Sequence, residues 1–186
     1  MASYITLPGI GGSGSTHWQT VWESAETGFS RFKPADWDSP NLEDWIQALD
    51  REIAASATAP ILVAHSLACL LVAHWQARSS KPIAGAFLVA VPDPTSTAFP
   101  GAASGFANPP LSRFRFPSQI VASTDDPYGS PDYVRDRAEH WGSSIVELGA
   151  LGHINGASGL GSWPQGRRLL SDFESNISGS PISTTG

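Results

Sequence analysis

The sequence predicts an α/β protein, a three-layer αβα sandwich built on a mainly parallel six-stranded sheet. Three observations predict it. Short apolar runs suited to strands alternate with longer helix-periodic stretches from one end of the chain to the other. The clearest strand-like runs, Pro60 to Ala64 and Ile83 to Val91, are apolar throughout, as expected of strands covered by helices on both sides. The most chemically distinctive residues fall just after strand-like runs, where open parallel sheets form their sites. The 186 residues suit one domain, assigned to 1–177, with 178–186 as a Ser/Gly/Thr/Pro tail expected to be disordered.

Tyr4-Ile-Thr-Leu-Pro8 reads as a short buried strand running into the glycine-rich Gly9-Ile-Gly-Gly-Ser-Gly14. Thr16 to Ala25 follows as a helix with Trp18, Val21 and Trp22 on one face. Phe29 to Lys33 is a second strand, stopped by Pro34. In Leu42 to Ala57, Trp45, Ile46, Leu49 and Ile53 are spaced as an amphipathic helix; Asn41 suits its N-cap and Asp44 its first turn. Pro60 to Ala64 is the clearest buried strand, and it passes through His65-Ser66 into Leu67 to Ala77. That helix is almost uncharged and must be covered on most sides.

Ile83 to Val91 is a long apolar strand. Pro92 to Pro117 is irregular, and loops of this length inside a compact domain tend to be functional. It carries Phe99, Phe106, Leu111, Phe114 and Phe116, enough for one wall of a pocket. It is too short for a separate two-helix cap, which needs roughly 25 residues in helices alone. Gln119 to Ser123, Pro131 to Trp141, Ile145 to Leu148 and Trp163 to Ile177 complete the series as strand, helix, strand and helix.

Composition narrows the function. A net charge of −6, with Lys33 and Lys81 as the lysines, leaves no large basic patch, so neither a nucleic-acid nor a membrane partner is expected. The one cysteine, Cys69, excludes an intrachain disulfide framework and a cysteine-based zinc site. The five histidines form no H-x-x-x-H or H-E-x-x-H pair, and neither metal nor cofactor is expected. The start of the chain lacks a secretory pattern and no run approaches a membrane span, so a cytoplasmic location is expected.

Three residues carry the chemistry. In Ala64-His-Ser66-Leu-Ala68 a serine sits between a buried strand and a buried helix, with small residues two before and two after. A sharp strand-to-helix turn exposes a nucleophile and crowds its flanks, which here are alanine where glycine is usual. A serine capping a core helix is the plainer reading. Ser123-Thr-Asp-Asp126-Pro-Tyr128 places acids at a strand end, although Asp-Pro is also a common turn. His153, in Gly152-His-Ile-Asn155, lies on a glycine-rich loop past another strand. The order Ser66, Asp126, His153 is the chain order of the α/β-hydrolase triad, and the coincidence favours a triad over three separate plain readings. Only one of the adjacent acids can face His153, because neighbouring side chains on an extended segment diverge, and Asp126 is assigned over Asp125 because it directly precedes Pro127. An oxyanion hole needs two backbone donors, and Leu67 and Ile10 are the choices, with Gly11 next after Ile10. His17 could reach the same pocket, Cys69 lies one helical turn past Ser66, and Trp163 follows His153 on a glycine-rich loop.

With Pro8-Gly-Ile-Gly-Gly-Ser-Gly-Ser-Thr-His-Trp18 and Ser158-Gly-Leu-Gly-Ser-Trp-Pro164 added to these segments, the sequence resembles the retinoblastoma-binding-protein/YdeN-like small serine hydrolases over about residues 4 to 176. The resemblance implies an α/β-hydrolase fold without a large cap domain. It implies Ser66 as nucleophile, Asp126 as orienting acid and His153 as base, acting on a small-molecule ester or amide through an acyl-enzyme. Two rivals remain. Gly9-Ile-Gly-Gly-Ser-Gly14 matches a dinucleotide-binding G-x-G-x-x-G, with Asp36 at about the distance of the ribose-binding acid. A non-catalytic binding module on a hydrolase scaffold is the other.

Overall fold

The computed structural model describes residues 3–179. Six strands form one sheet: β1 (Tyr4–Leu7), β2 (Phe29–Arg31), β3 (Ile61–His65), β4 (Gly85–Val89), β5 (Ser118–Ser123) and β6 (Ser144–Leu148). Their order is β2-β1-β3-β4-β5-β6, and every pairing is parallel. Five helices cover the faces: α1 (Trp18–Ala25), α2 (Leu42–Ala55), α3 (Leu67–Gln76), α4 (Pro131–Trp141) and α5 (Pro164–Gly179).

Strand periodicity decides which side chain enters which layer. Along β3, Ile61 and Val63 join Trp18, Trp22, Leu170 and Phe173 of α1 and α5. Leu62 and Ala64 join residues of α2, α3 and α4, among them Trp45, Leu70 and Trp141. All ten residues of α3 are buried, which is why it could dispense with charge. Caps set several ends. Asn41 accepts the Asp44 N–H at the start of α2, and Ser130 accepts that of Tyr133 at the start of α4. α4 stops at Gly142, whose φ of 69° suits glycine.

The chain runs from β1 outward to β2 and returns to β3 on the other side of β1. The crevice at the carboxyl ends of β1 and β3 is therefore the switch point, where such sheets bind ligands.

The structure departs from the sequence reading in several places. β4 spans only Gly85–Val89, because Ala90 turns to φ 58° and ends the extended run. In α1 the inward face holds Gln19 with Trp18 and Trp22, while Val21 is half-buried. α5 continues through Gly179, so the first two residues of the expected tail are helical, and 180–186 lie outside the described residues. The 92–117 segment is anchored and forms no separate cap, as its length predicts, but it supplies less pocket wall than expected. It contains a short 3-10 turn, Gly101–Phe106, whose Phe106 carbonyl accepts a 3.0 Å hydrogen bond from His74 Nε2. Phe106 and Phe114 enter the core, Phe116 packs against it and Leu111 is exposed, so of those five side chains only Phe99 reaches the cavity described below. Among the described residues, no helix is long and apolar enough to cross a membrane.

Candidate active site

Ser66 sits between β3 and α3 at φ 56°, ψ −126°, a backbone conformation that L-residues avoid and that costs on the order of 1–3 kcal/mol. Two hydrogen bonds hold the turn: Ser66 N–H donates to the Val89 carbonyl at 2.9 Å, and Cys69 N–H donates to the Ser66 carbonyl at 2.8 Å. Ala64 and Ala68 are both fully buried, and their small size suits the tight turn. Cys69 is buried beneath it, its sulfur 3.4 Å from the Val89 carbonyl, and burial pushes its thiol up, away from the reactive thiolate.

The loops after β5 and β6 bring the other two residues to this serine. His153 Nδ1 faces both oxygens of Asp126 at 2.9 Å, so Nδ1 carries the proton. Nε2 is then free to accept from Ser66 Oγ, 2.7 Å away. Asp126 Oδ1 also accepts the Tyr128 N–H at 2.9 Å, which fixes the carboxylate. Asp125 turns elsewhere. Its Oδ1 accepts from Ser123 Oγ and from Gly152 N–H, both at 2.7 Å, and these bonds hold its carboxyl below the usual range. It therefore shapes the loop that carries His153 without touching the imidazole.

The loop after β1 closes over the elbow. A Cβ on Gly9 would lie 3.0 Å from Ser66 Cβ, so glycine is what permits this approach. Arg31 Nη1 donates to the Gly12 carbonyl at 2.7 Å, Trp37 packs against Gly12, and its carbonyl accepts the Gly11 N–H at 3.2 Å. Gln19, buried in α1, donates to the Val63 carbonyl at 2.9 Å and accepts from Ser13 Oγ at 2.7 Å, tying this loop to the end of β3. Ile10 is at the cavity, and among the described residues its N–H makes no hydrogen bond. Leu67 opens α3, which has no side-chain cap, and its N–H lies in the unsatisfied first turn.

These features line a cavity of about 360 Å³. Ile10, Pro92, Phe99, Pro100 and Tyr128 make much of its wall apolar. Its ionisable residues besides Tyr128 are His17, His65 and His153; among the described residues no Asp, Glu, Lys or Arg lines it. The Tyr128 ring packs on His153 with centroids 4.5 Å apart, and His65 lies on the same imidazole at 5.0 Å. His65 Nε2 donates to the His153 carbonyl at 2.9 Å. Burial, reinforced by His153 and His17, holds His65 well below the ordinary histidine value. His17 is lowered to about 4, mainly by burial and then by Arg31 and His153.

All five sequence-predicted residues thus converge: Ser66, Asp126 and His153 in one hydrogen-bonded row, with Ile10 and Leu67 beside it. Trp163 instead stacks on Trp22 in the core, 6.0 Å between centroids. Reading Gly9–Gly14 as a dinucleotide loop does not fit. The run presses on the serine turn, α1 starts only at Trp18, and Asp36 Oδ1 is spent on the N–H groups of Asp38 and Ser39. No sequence motif marks a role for Tyr128, Gln19 or Arg31. Only Tyr128 had a local signal, an aromatic two residues past the acid.

A parallel sheet sandwiched by helices, with a strained serine at the β3–α3 turn, defines an α/β hydrolase fold. The serine hydrolase family model matches residues 4–172, and the chain belongs to that family. A protein of Pectobacterium atrosepticum described as a YdeN-like hydrolase is 28% identical, with a TM-score of 0.84 over 95% of this chain and 92% of that one. The ydeN gene product of B. subtilis is similar at 19% identity and a TM-score of 0.75, covering 94% of this chain and 100% of that one. A thermophilic esterase from Thermogutta terrifontis shares the fold at 12% identity and a TM-score of 0.69, covering 95% and 90%. No curated protein matches the chain.

Proposed function

We propose that the protein is a carboxylesterase-like hydrolase that cleaves compact, uncharged esters through an acyl-enzyme. The observation that carries this reading is the row Asp126–His153–Ser66, with its 2.9 Å and 2.7 Å contacts and the tautomer they impose. Ser66 Oγ attacks the ester carbonyl while His153 Nε2 takes its proton. The oxyanion is held by the N–H groups of Leu67 and Ile10. His153 passes the proton to the departing alkoxide, then accepts one from the water that attacks the acyl-enzyme and returns it to Ser66 Oγ as the Ser66–acyl bond breaks and the acid leaves. Asp126 keeps the proton on Nδ1 and stabilises the imidazolium.

The cavity supports the size limit. Its volume of about 360 Å³ is at the small end of the roughly 300–1,000 Å³ of ligand pockets, and the anchored 92–117 segment provides no long apolar cleft. An amide substrate is the harder variant of the same chemistry. The test is a series of p-nitrophenyl esters of increasing acyl length. The expected result is highest kcat/KM at acetate to butyrate. Higher values for long chains overturn the size limit, and no turnover of any member overturns the esterase reading.

A further inference from the structure

His17 is the cavity residue that this acyl-transfer scheme leaves without a task. It caps α1: its Nδ1 accepts the Gln19 N–H at 3.2 Å, so in the neutral ring the proton is on Nε2. Residue exposure is only 5%, yet Nε2 is buried with no hydrogen-bond partner. Unmatched buried donors are rare, and one beside an active site calls for an explanation. The ring lies on the cavity wall with Ser66 and His153 and stands edge-on to His65 at 4.6 Å. With the ring lowered to about 4, it is neutral near pH 7 and offers a single N–H.

We propose that His17 Nε2–H is a substrate-recognition donor, which selects acyl groups bearing an uncharged carbonyl, hydroxyl or ether oxygen over hydrocarbon chains of the same size. This deepens the esterase reading and rests on it. An oxygen is required because the site presents a donor, and losing that bond leaves the donor unmatched beside apolar substrate. The oxygen is uncharged because among the described residues no Lys or Arg lines the cavity to meet a carboxylate, and burying an unpaired charge is expensive. Two neighbours hold the donor in place: Trp18 against the ring at 5.2 Å, and Gln19, fixed at both ends of its side chain.

The experiment measures binding, without turnover, to Ser66→Ala protein with and without His17→Asn. Asparagine keeps an N-cap acceptor for α1 while removing Nε2. The probes are p-nitrophenyl methoxyacetate and p-nitrophenyl butyrate, equal in chain length with one ether oxygen replacing a methylene. The expected result is about tenfold tighter binding of the methoxyacetate to the Ser66→Ala protein, falling to about equal binding once His17→Asn is added. Equal binding of the two esters to the Ser66→Ala protein, a preference that His17→Asn leaves unchanged, or no binding of either ester overturns the proposal; an Nε2–H satisfied by an ordered water gives the first of these. A second measurement needs no change at position 17. In Ser66→Ala protein with ¹⁵N-labelled histidine, the His17 Nε2–H resonance shifts on adding methoxyacetate and not on adding butyrate, and equal responses contradict the assignment. Turnover by the unmodified enzyme reads the esterase proposal separately: absent turnover with an intact binding preference overturns that reading and leaves His17 as a recognition donor.

Discussion

The two adjacent acids show how far one residue's direction decides its work. Asp126 points both oxygens at His153, while Asp125 spends its carboxylate on Ser123 and the Gly152 N–H. Asp126→Asn presents an amide to an imidazole that must keep its proton on Nδ1, and the ring is expected to turn over to the unproductive tautomer. The expected loss in kcat is about 10³- to 10⁴-fold, by analogy with other serine triads. Asp125→Asn keeps an acceptor for Gly152 and is expected to cost less than about tenfold. Steady-state kinetics of the two variants on p-nitrophenyl acetate settles the assignment, and a larger loss from Asp125→Asn contradicts it. The choice was legible in Asp126 directly preceding Pro127, although Thr124 and Asp125 form a turn and not the extended segment expected. The role of Tyr128 was not, since its ring meets His153 only after two loops have been brought together.

Elements whose burial is periodic were readable, and those whose ends depend on partners were less so. α2 shows its face in Trp45, Ile46, Leu49 and Ile53, and Asn41 marks its start. α1 misled at Val21, because the inward position went to a glutamine whose polar atoms are satisfied by Val63 and Ser13, contacts that no local pattern reveals. The aromatic residues of 92–117 misled for a similar reason: apolar side chains near a site can serve the core instead of the pocket. α5 provides a test of packing against propensity. Alanine for glycine inside a helix normally gains about 1 kcal/mol. At Gly166, however, a Cβ would lie 2.1 Å from Trp163 Cε3, and Trp163 is 2% exposed and stacked on Trp22. Overpacking of this kind costs about 1–3 kcal/mol or more and outweighs the propensity gain. Gly166→Ala is therefore expected to lower Tm, as differential scanning calorimetry would record, whereas a raised Tm would contradict the packing described for α5.

At the scale of the whole molecule, two buried neutral histidines beside the site make folding sensitive to mild acid. His17 and His65 have lower proton affinity in the folded chain than in the unfolded one, where histidine titrates at about 6.5. The unfolded state therefore binds more protons below that pH, and stability present above it is lost as the pH falls. Each histidine contributes about 1.4 kcal/mol per pH unit, and for His17 the loss continues to about pH 4. Urea unfolding is expected to show markedly lower stability at pH 5 than at pH 7, with the drop reduced in His17→Asn. Equal stability at the two pH values would contradict the buried neutral assignment.

The same molecular plan, a switch-point crevice fed by loops after β1, β3, β5 and β6, makes Ser66 the point on which the account depends. The most direct measurement exposes wild-type protein and Ser66→Ala to a fluorophosphonate, reads the adduct by peptide mass spectrometry and compares turnover of p-nitrophenyl acetate. One adduct is expected, on Ser66, with its absence in Ser66→Ala and a fall in turnover on the order of 10⁴-fold or more in a variant that still folds. An adduct on another residue, or ester hydrolysis retained by a clean preparation of Ser66→Ala, would contradict it.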